Sequence, residues 1–126
     1  TLLKKSNNAS IINISSIAAK IAMSENAAYN VSKAGLISLT ESQAFDYSKF
    51  KIRSNSICPG YIKTNMTKKS FSNFKMKKKR LDRLNIKRYG SPVEIANLAF
   101  YLSKKEAAYI NAQTIIIDGG LIKRGI

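Results

Sequence analysis

Three short apolar runs predict β-strands, because they are rich in β-branched residues and lie between turn or loop segments. They are SIINISS (10–16), KIRSNSIC (51–58) and AQTIIID (112–118). The dipeptide Pro59-Gly60 ends the second run and Gly119-Gly120 ends the third, and both are strong turn signals. We therefore expect three strands, with a loop after the first.

A long helix is predicted over residues 27–48, which contain no proline and a single glycine, Gly35. Small and apolar residues recur in it at steps of three or four positions, as Ala27, Val31, Ala34, Gly35 and Leu39. This is helical spacing. We expect the helix to pack closely along this small-residue face.

A second helix is predicted over residues 90–103. Ser91 can cap it, Pro92 suits its first turn, and Glu94 completes a capping box. The basic segment 65–88 before it is also expected to be largely helical.

The predicted order is strand, helix, strand, helices, strand. Such alternation favours right-handed crossovers and a parallel sheet. Buried parallel strands need cover on both faces and neighbours at their edges. The sequence therefore predicts an α/β fold. We expect residues 1–126 to form a single domain that corresponds to part of a larger sheet. It would contain the last three strands of a doubly wound parallel sheet, with flanking helices.

Composition narrows the class of protein. The 126 residues suffice for one domain, and no apolar run approaches the length of a membrane span. The chain has one cysteine and no histidine, so an internal disulfide and the commonest metal ligand are excluded. We expect a cytoplasmic protein without a metal site or a membrane partner, in which Cys58 is a packed strand residue.

Positive charge is concentrated in one part of the chain. The net charge is +15, and residues 63–88 hold eleven of the 22 Lys and Arg but a single acid, Asp82. This charge fits nucleic-acid binding, but no motif supports it. We favour a solvated basic face, or a loop that attracts an anionic substrate, and we expect no nucleic-acid partner.

Tyr29 and Lys33 lie four residues apart in the long helix and share a face. A nearby ammonium favours the phenolate form of tyrosine, which allows proton exchange with a substrate oxygen. Spacing alone is weak support, because two other tyrosines are followed by lysine in the same way. These pairs are Tyr47/Lys51 and Tyr101/Lys105.

Ser16 distinguishes the first pair. It stands thirteen residues before Tyr29, at the end of the first strand, whereas Ala34 and Arg88 occupy that position before the other two tyrosines. Ligands of open α/β sheets bind at the carboxyl ends of the strands. Ser16 and the Pro59-Gly60 turn are thus predicted to face one crevice.

Four motifs in order resemble the classical short-chain dehydrogenases/reductases: NISS (13–16), YNVSKAGL (29–36), PGYIKTNM (59–66) and IDGG (117–120). The resemblance is greatest to 3-oxoacyl-acyl-carrier-protein reductases and covers residues 9–120. It implies a Rossmann-type NAD(P)-binding domain and an oxidoreductase that interconverts a ketone and a secondary alcohol. An acyl-carrier thioester is the expected substrate, and a sugar or another small ketone or alcohol is the alternative.

The resemblance also implies roles for single residues. Tyr29 would be the general acid/base, Lys33 would support it and bind the nicotinamide ribose, and Ser16 would donate to the substrate oxygen. Ser15 is the rival, but only Ser16 has the thirteen-residue spacing. The hydride would come from NAD(P)H, since no side chain can supply one.

PGYIKT matches the family's loop beside the nicotinamide. Pro59 and Gly60 would shape the turn, while the Ile62 backbone and the Thr64 hydroxyl would bind the carboxamide and phosphates. The segment 65–88 falls where the family has its substrate lid. Its Lys77, Lys78, Lys79 and Arg80 are candidates to attract an acidic carrier protein, a phosphopantetheine or a nucleotide sugar, although a solvated helix face is the favoured interpretation.

The family's Gly-rich turn, its residue that selects NAD or NADP, and its catalytic Asn have no counterpart here. The chain is therefore expected to be the C-terminal half of a reductase, with three of seven strands. The alternatives are a truncated, inactive chain and the nucleic-acid-binding protein considered above. For the complete protein we expect a homo-oligomer, because the helix 27–48 matches the one through which the family dimerises.

Overall fold

The computed structural model describes residues 2–65, 67 and 72–123. Among these residues, three parallel strands form one sheet in the order β1-β2-β3: β1 (Ser10–Ile14), β2 (Arg53–Pro59) and β3 (Thr114–Ile117). The helices are α1 (Ala27–Asp46), α2 (Phe74–Asp82) and α3 (Pro92–Ser103). Short 3-10 turns span Leu2–Lys5, Ile17–Ala19, Ser48–Phe50 and Lys105–Ala107. The predicted α/β fold with a parallel sheet is confirmed.

Several of these strands and helices begin or end at other residues than the sequence predicted. The first strand stops at Ile14, so Ser15 and Ser16 lie just beyond it. The second begins at Arg53, because Lys51 adopts a left-handed conformation (φ 58°) that ends the preceding turn. Of the basic segment 65–88, only Phe74–Asp82 is an α-helix, and residues 66 and 68–71 lie outside the described part.

The start of α3 agrees with the sequence. The Ser91 hydroxyl accepts from the Glu94 amide at 3.4 Å, and the Glu94 carboxylate accepts from the Ser91 amide at 2.8 Å. The predicted capping box is therefore confirmed. No helix in the described part of the chain has both the length and the apolar character needed to cross a membrane.

The core lies around the central strand. Ile57 of β2 and Leu102 of α3 are fully buried and share one apolar cluster with Ala107. Cys58 is fully buried as well, in agreement with its prediction as a packed strand residue. Strand β2 is buried along nearly its whole length. This burial holds the carboxyl end of the strand in place, and the candidate site lies at that end.

Helix α1 does not pack on this sheet through its small-residue face, so that prediction is wrong within this chain. Its buried residues are Ile37, Thr40 and Ala44. The residues of the predicted face are all exposed: Ala27, Val31, Ala34, Gly35 and Leu39.

The reason is a polar contact between α1 and the sheet. The Asn13 amide donates to the Thr40 hydroxyl at 2.9 Å and to the Gln43 amide oxygen at 3.0 Å. Ser54 of β2 donates to the same Gln43 oxygen at 3.0 Å. Because buried polar groups need partners, the polar side chains of the strands favour the helix face that carries Thr40 and Gln43.

Candidate active site

A cavity of about 170 Å³ opens beyond the carboxyl ends of β1 and β2. Ser16, Tyr29, Gly60 and Ile62 line it together. Four candidate residues from separate parts of the sequence thus meet at one crevice. The other three candidates, Lys33, Pro59 and Thr64, are not part of its lining.

Ser16 has an extended backbone and caps the short turn Ile17–Ala19. Its hydroxyl oxygen accepts a hydrogen bond from the Ala18 amide at 3.1 Å. A serine hydroxyl is both an acceptor and a donor. Its hydrogen therefore remains available to donate to an oxygen bound in the cavity.

Ser15, the rival candidate, has a different environment. It is buried, and its hydroxyl donates to the main-chain oxygen of Lys33 at 2.7 Å. That bond ties the end of β1 to helix α1. Ser15 is thereby committed to packing, whereas Ser16 faces the cavity.

Tyr29 and Lys33 lie one turn apart near the start of α1. Tyr29 is 46% exposed, and the Lys33 Nζ atom lies 5.7 Å from the centroid of its ring. The same Nζ donates to the main-chain oxygen of Ile14 at 3.0 Å. An ammonium has three donors, so two N–H groups of Lys33 remain for other partners at this end of β1.

The Pro59-Gly60 turn is held tightly against β3. The Gly60 amide donates to the Ile117 oxygen at 3.0 Å, and a Cβ atom on Gly60 would lie 2.7 Å from the Asp118 Cα. Only glycine fits such a close approach of two main chains. The turn therefore holds a fixed position beside the cavity.

The residues that follow the turn are also braced. Ile62 forms a parallel bridge with Gly90, and the Thr67 hydroxyl donates to the Ile62 oxygen at 2.8 Å. The Thr67 hydroxyl also accepts from the Thr64 amide at 2.9 Å. Thr67 lines the cavity, but the sequence did not identify it as a candidate. It follows Thr64 by three residues, a spacing typical of turns that a hydroxyl group stabilises, and this spacing could have identified it.

Arg80 is the cation in the cavity wall. Its guanidinium carbon lies 5.3 Å from the centroid of the Tyr61 ring, and Tyr89 meets Tyr61 edge-on, with centroids 6.3 Å apart. Burial raises the pKa of Tyr89, and the charge of Arg80 opposes that shift. The sequence identified Arg80 only as part of a basic run, without this packing.

The sequence of the chain is similar to those of known oxidoreductases. A family profile described as Enoyl-(Acyl carrier protein) reductase matches residues 1–122. The chain is 38% identical over 117 residues to the 3-oxoacyl-(acyl-carrier-protein) reductase FabG of Chlamydia pneumoniae, an alignment covering 93% of this chain and 46% of that protein.

Solved structures are similar as well. 4-Hydroxyisoleucine dehydrogenase complexed with NADH superposes with a TM-score of 0.91 and 35% identity, over 94% of this chain and 49% of that one. A candidate 2-deoxy-D-gluconate 3-dehydrogenase from Agrobacterium tumefaciens with bound NADP gives a TM-score of 0.92 and 31% identity, over 98% and 50%. The chain spans about half the length of the curated relatives it matches.

Proposed function

The chain belongs to the short-chain dehydrogenase/reductase family, and we propose that it carries the catalytic residues of an NAD(P)-dependent oxidoreductase that interconverts a ketone and a secondary alcohol. The observation that carries this proposal is the meeting of Ser16 and Tyr29 in one cavity, with the Lys33 ammonium beside the Tyr29 ring. A proton donor, a hydrogen-bond donor and a fixed positive charge are the groups that carbonyl reduction needs.

In the direction of reduction, the Tyr29 hydroxyl gives its proton to the substrate oxygen. The Ser16 hydroxyl donates a hydrogen bond to the same oxygen and stabilises the negative charge that develops there. The Lys33 ammonium places a positive charge 5.7 Å from the centroid of the Tyr29 ring during this transfer. A bound NAD(P)H supplies the hydride for the carbonyl carbon, since no side chain can.

The residues near the cavity fit such a cofactor. Within the described residues the Lys33 ammonium donates to the Ile14 oxygen, which leaves two N–H groups for ribose hydroxyls. The Pro59-Gly60 turn would flank the ring, while the Ile62 backbone and the Thr64 hydroxyl would bind the carboxamide and phosphates. The close packing of Gly60 on Asp118 supports this assignment, because it keeps the turn in one place.

For the substrate we propose an acyl-carrier thioester, as the name of the FabG relative suggests. The alternative is a sugar or another small ketone or alcohol, in keeping with the names of two structural relatives, a 4-hydroxyisoleucine dehydrogenase and a 2-deoxy-D-gluconate 3-dehydrogenase. The basic segment 65–88 is proposed as a lid over the substrate, within the same single domain of residues 1–126. The position of Arg80 in the cavity wall supports the lid assignment.

We further propose that the full-length protein is a homo-oligomer. The exposed face of α1 supports this, since Val31 and Phe45 are 71% and 82% exposed there. Large apolar side chains grouped on one exposed face are typical of interaction sites. Sedimentation of the full-length protein as a monomer would contradict this proposal.

Replacement of single tyrosines in the full-length protein tests the catalytic assignment. Tyr29→Phe removes only the hydroxyl, and we expect kcat to fall about 10²- to 10⁴-fold, the usual contribution of a general acid. Tyr47→Phe is the matched control, because Tyr47 also precedes a lysine by four residues but does not line the cavity. Unchanged turnover in Tyr29→Phe, or equal losses in both variants, would disprove the assignment.

A further inference from the structure

The basic helix α2 contains one cation that differs from the rest. Arg80 is half-buried and lines the cavity, whereas the other basic residues from 74 to 83 are exposed: Lys75, Lys77, Lys78, Lys79 and Arg83. Exposed lysines are the solvated face expected from the sequence. Arg80 differs from these residues because it lines the cavity.

Packing holds the guanidinium of Arg80 in place. It lies over the ring of Tyr61, and Tyr61 and Tyr89 form a T-shaped pair with an interplanar angle of 81°. A cation–π contact holds the positive charge beside the ring, and a guanidinium has five N–H donors. Arg80, which lines the cavity, can therefore donate a forked pair of hydrogen bonds to an oxyanion bound there.

No acidic side chain neutralises Arg80 within the described residues. All seven Asp and Glu of the sequence belong to the described part, and none of them lines the cavity. The ion pair formed within that part joins Arg88 to Glu94. A half-buried arginine without a carboxylate partner is a suitable site for an oxyanion from outside the chain.

On the basis of the oxidoreductase function proposed above, we propose that Arg80 binds an oxyanion carried by the substrate, while Ser16 and Tyr29 act on its carbonyl or hydroxyl oxygen. The substrate class is thus a ketone or alcohol with a carboxylate or phosphate on the same molecule. The exposed lysines of α2 raise the local positive potential and increase the rate at which such an anion arrives. Arg80 selects the substrate, and the chemistry occurs at Ser16 and Tyr29 in the same cavity.

Matched substrates test this assignment in the full-length protein. Acetoacetate is compared with methyl acetoacetate, and acetoacetyl-4′-phosphopantetheine with acetoacetyl-pantetheine. Each pair differs by one oxyanion, and the pair that responds identifies a carboxylate or a phosphate. Arg80→Met keeps an unbranched side chain of similar length but removes the charge, and Arg80→Lys keeps the charge but loses the fork. Lys105→Ala is the control, because Lys105 is exposed, lies outside the segment 65–88 and does not line the cavity.

We expect Arg80→Met to lower kcat/KM for the anionic member of one pair by about 10- to 100-fold, mainly through KM, because charged hydrogen bonds contribute that much to binding. The neutral member should change less than twofold, Arg80→Lys should be intermediate, and Lys105→Ala should resemble the wild type. Equal losses for anionic and neutral substrates, or no loss for either, would overturn the assignment.

A binding measurement separates this inference from the proposed catalysis. Butanoate carries a carboxylate but no carbonyl, and 4′-phosphopantetheine carries the phosphate. Whichever probe binds should raise the melting temperature of the wild type and not that of Arg80→Met. If the protein reduces no ketone but this difference persists, the oxidoreductase proposal fails and the oxyanion site stands. If ketones are reduced but neither probe distinguishes the two proteins, the oxyanion site is wrong.

Discussion

Ser15 and Lys33 connect the end of β1 to helix α1 by hydrogen bonds in both directions. The Ser15 hydroxyl donates to the main-chain oxygen of Lys33 at 2.7 Å, and the Lys33 ammonium donates to the oxygen of Ile14 at 3.0 Å. The two bonds fix the helix relative to the strand that leads into Ser16. They therefore set the position of Tyr29, one turn before Lys33, relative to the serine that shares its cavity.

The first prediction separates the two serines. Ser15→Ala should lower the free energy of unfolding by about 1 kcal/mol through the lost hydrogen bond, and should reduce kcat by less than tenfold. Ser16→Ala should have a similar effect on stability, because it removes the bond from the Ala18 amide. Its kcat, however, should fall about 10²-fold or more.

Urea unfolding and steady-state kinetics of the full-length protein measure both quantities. If Ser15→Ala lost as much turnover as Ser16→Ala at equal stability, the assignment of Ser15 to packing would be wrong.

The second prediction concerns the buried cluster. Leu102→Ala should destabilise the protein by about 2–5 kcal/mol, because Leu102 is fully buried against Ile57 and the small side chain leaves a cavity. Val93, on the same helix, is 64% exposed. Val93→Ala should change stability by less than about 0.5 kcal/mol. Similar midpoints of chemical denaturation for the two variants would contradict the proposed core.

Local signals in the sequence were enough to predict most helices and strands and to select candidate residues, of which Ser16 and Tyr29 line one cavity. The capping box at Ser91 depends on residues three apart, and the preference for Ser16 over Ser15 rests on a fixed spacing to Tyr29. The capping box joins residues that are close along the chain, and the spacing of Ser16 and Tyr29 is that of the family motif. They could therefore be predicted without knowledge of the packing.

Contacts between distant segments could not be predicted in this way. Arg53 was expected only as a strand residue, yet it is buried, and its guanidinium donates to the main-chain oxygens of Leu102, Lys104 and Ile110 at 2.9–3.3 Å. Burial lowers the pKa of Arg53. Its partners lie about fifty residues away along the chain, and the pairing depends on how α3 crosses the sheet. The polar interface of α1 was missed for the same reason.

The third prediction is a loss of stability in acid from the Arg88–Glu94 pair. The Arg88 guanidinium donates to both Glu94 oxygens, at 2.7 and 2.9 Å, and this lowers the pKa of Glu94 from 4.5 to about 2. A carboxylate whose pKa is depressed by folding stabilises the protein above its unfolded pKa. That contribution is lost as the pH falls through the folded pKa. Stability should therefore decline between pH 4.5 and about 2.

Glu94→Gln provides the control for this prediction. Glutamine can keep the capping contact with the Ser91 amide but has no charge to titrate. Melting temperatures of the variant should depend less on pH in that window than those of the wild type. Identical pH profiles for the two proteins would show that the pair makes no contribution.

The fourth prediction compares two glycines that are both too crowded for a Cβ atom but differ in what crowds them. At Gly60 the new atom would lie 2.7 Å from the Asp118 Cα, and at Gly90 it would lie 2.6 Å from the Cδ1 of Ile62. A main-chain atom cannot move without shifting β3, whereas the end of an isoleucine side chain can rotate away. Gly60→Ala should therefore destabilise the protein by about 1–3 kcal/mol, and Gly90→Ala should cost less.

Activity gives this comparison a second readout. Displacement of the Pro59-Gly60 turn moves the cavity wall that Gly60 and Ile62 form, and small errors of position at a reacting centre are costly. Gly60→Ala should therefore lose turnover even at temperatures where it remains folded. Gly90→Ala should keep most of it, because Ile62 contacts the new methyl group only through the tip of its side chain. Equal loss of stability and of turnover in both variants would mean that the turn is positioned by something other than its contact with Asp118.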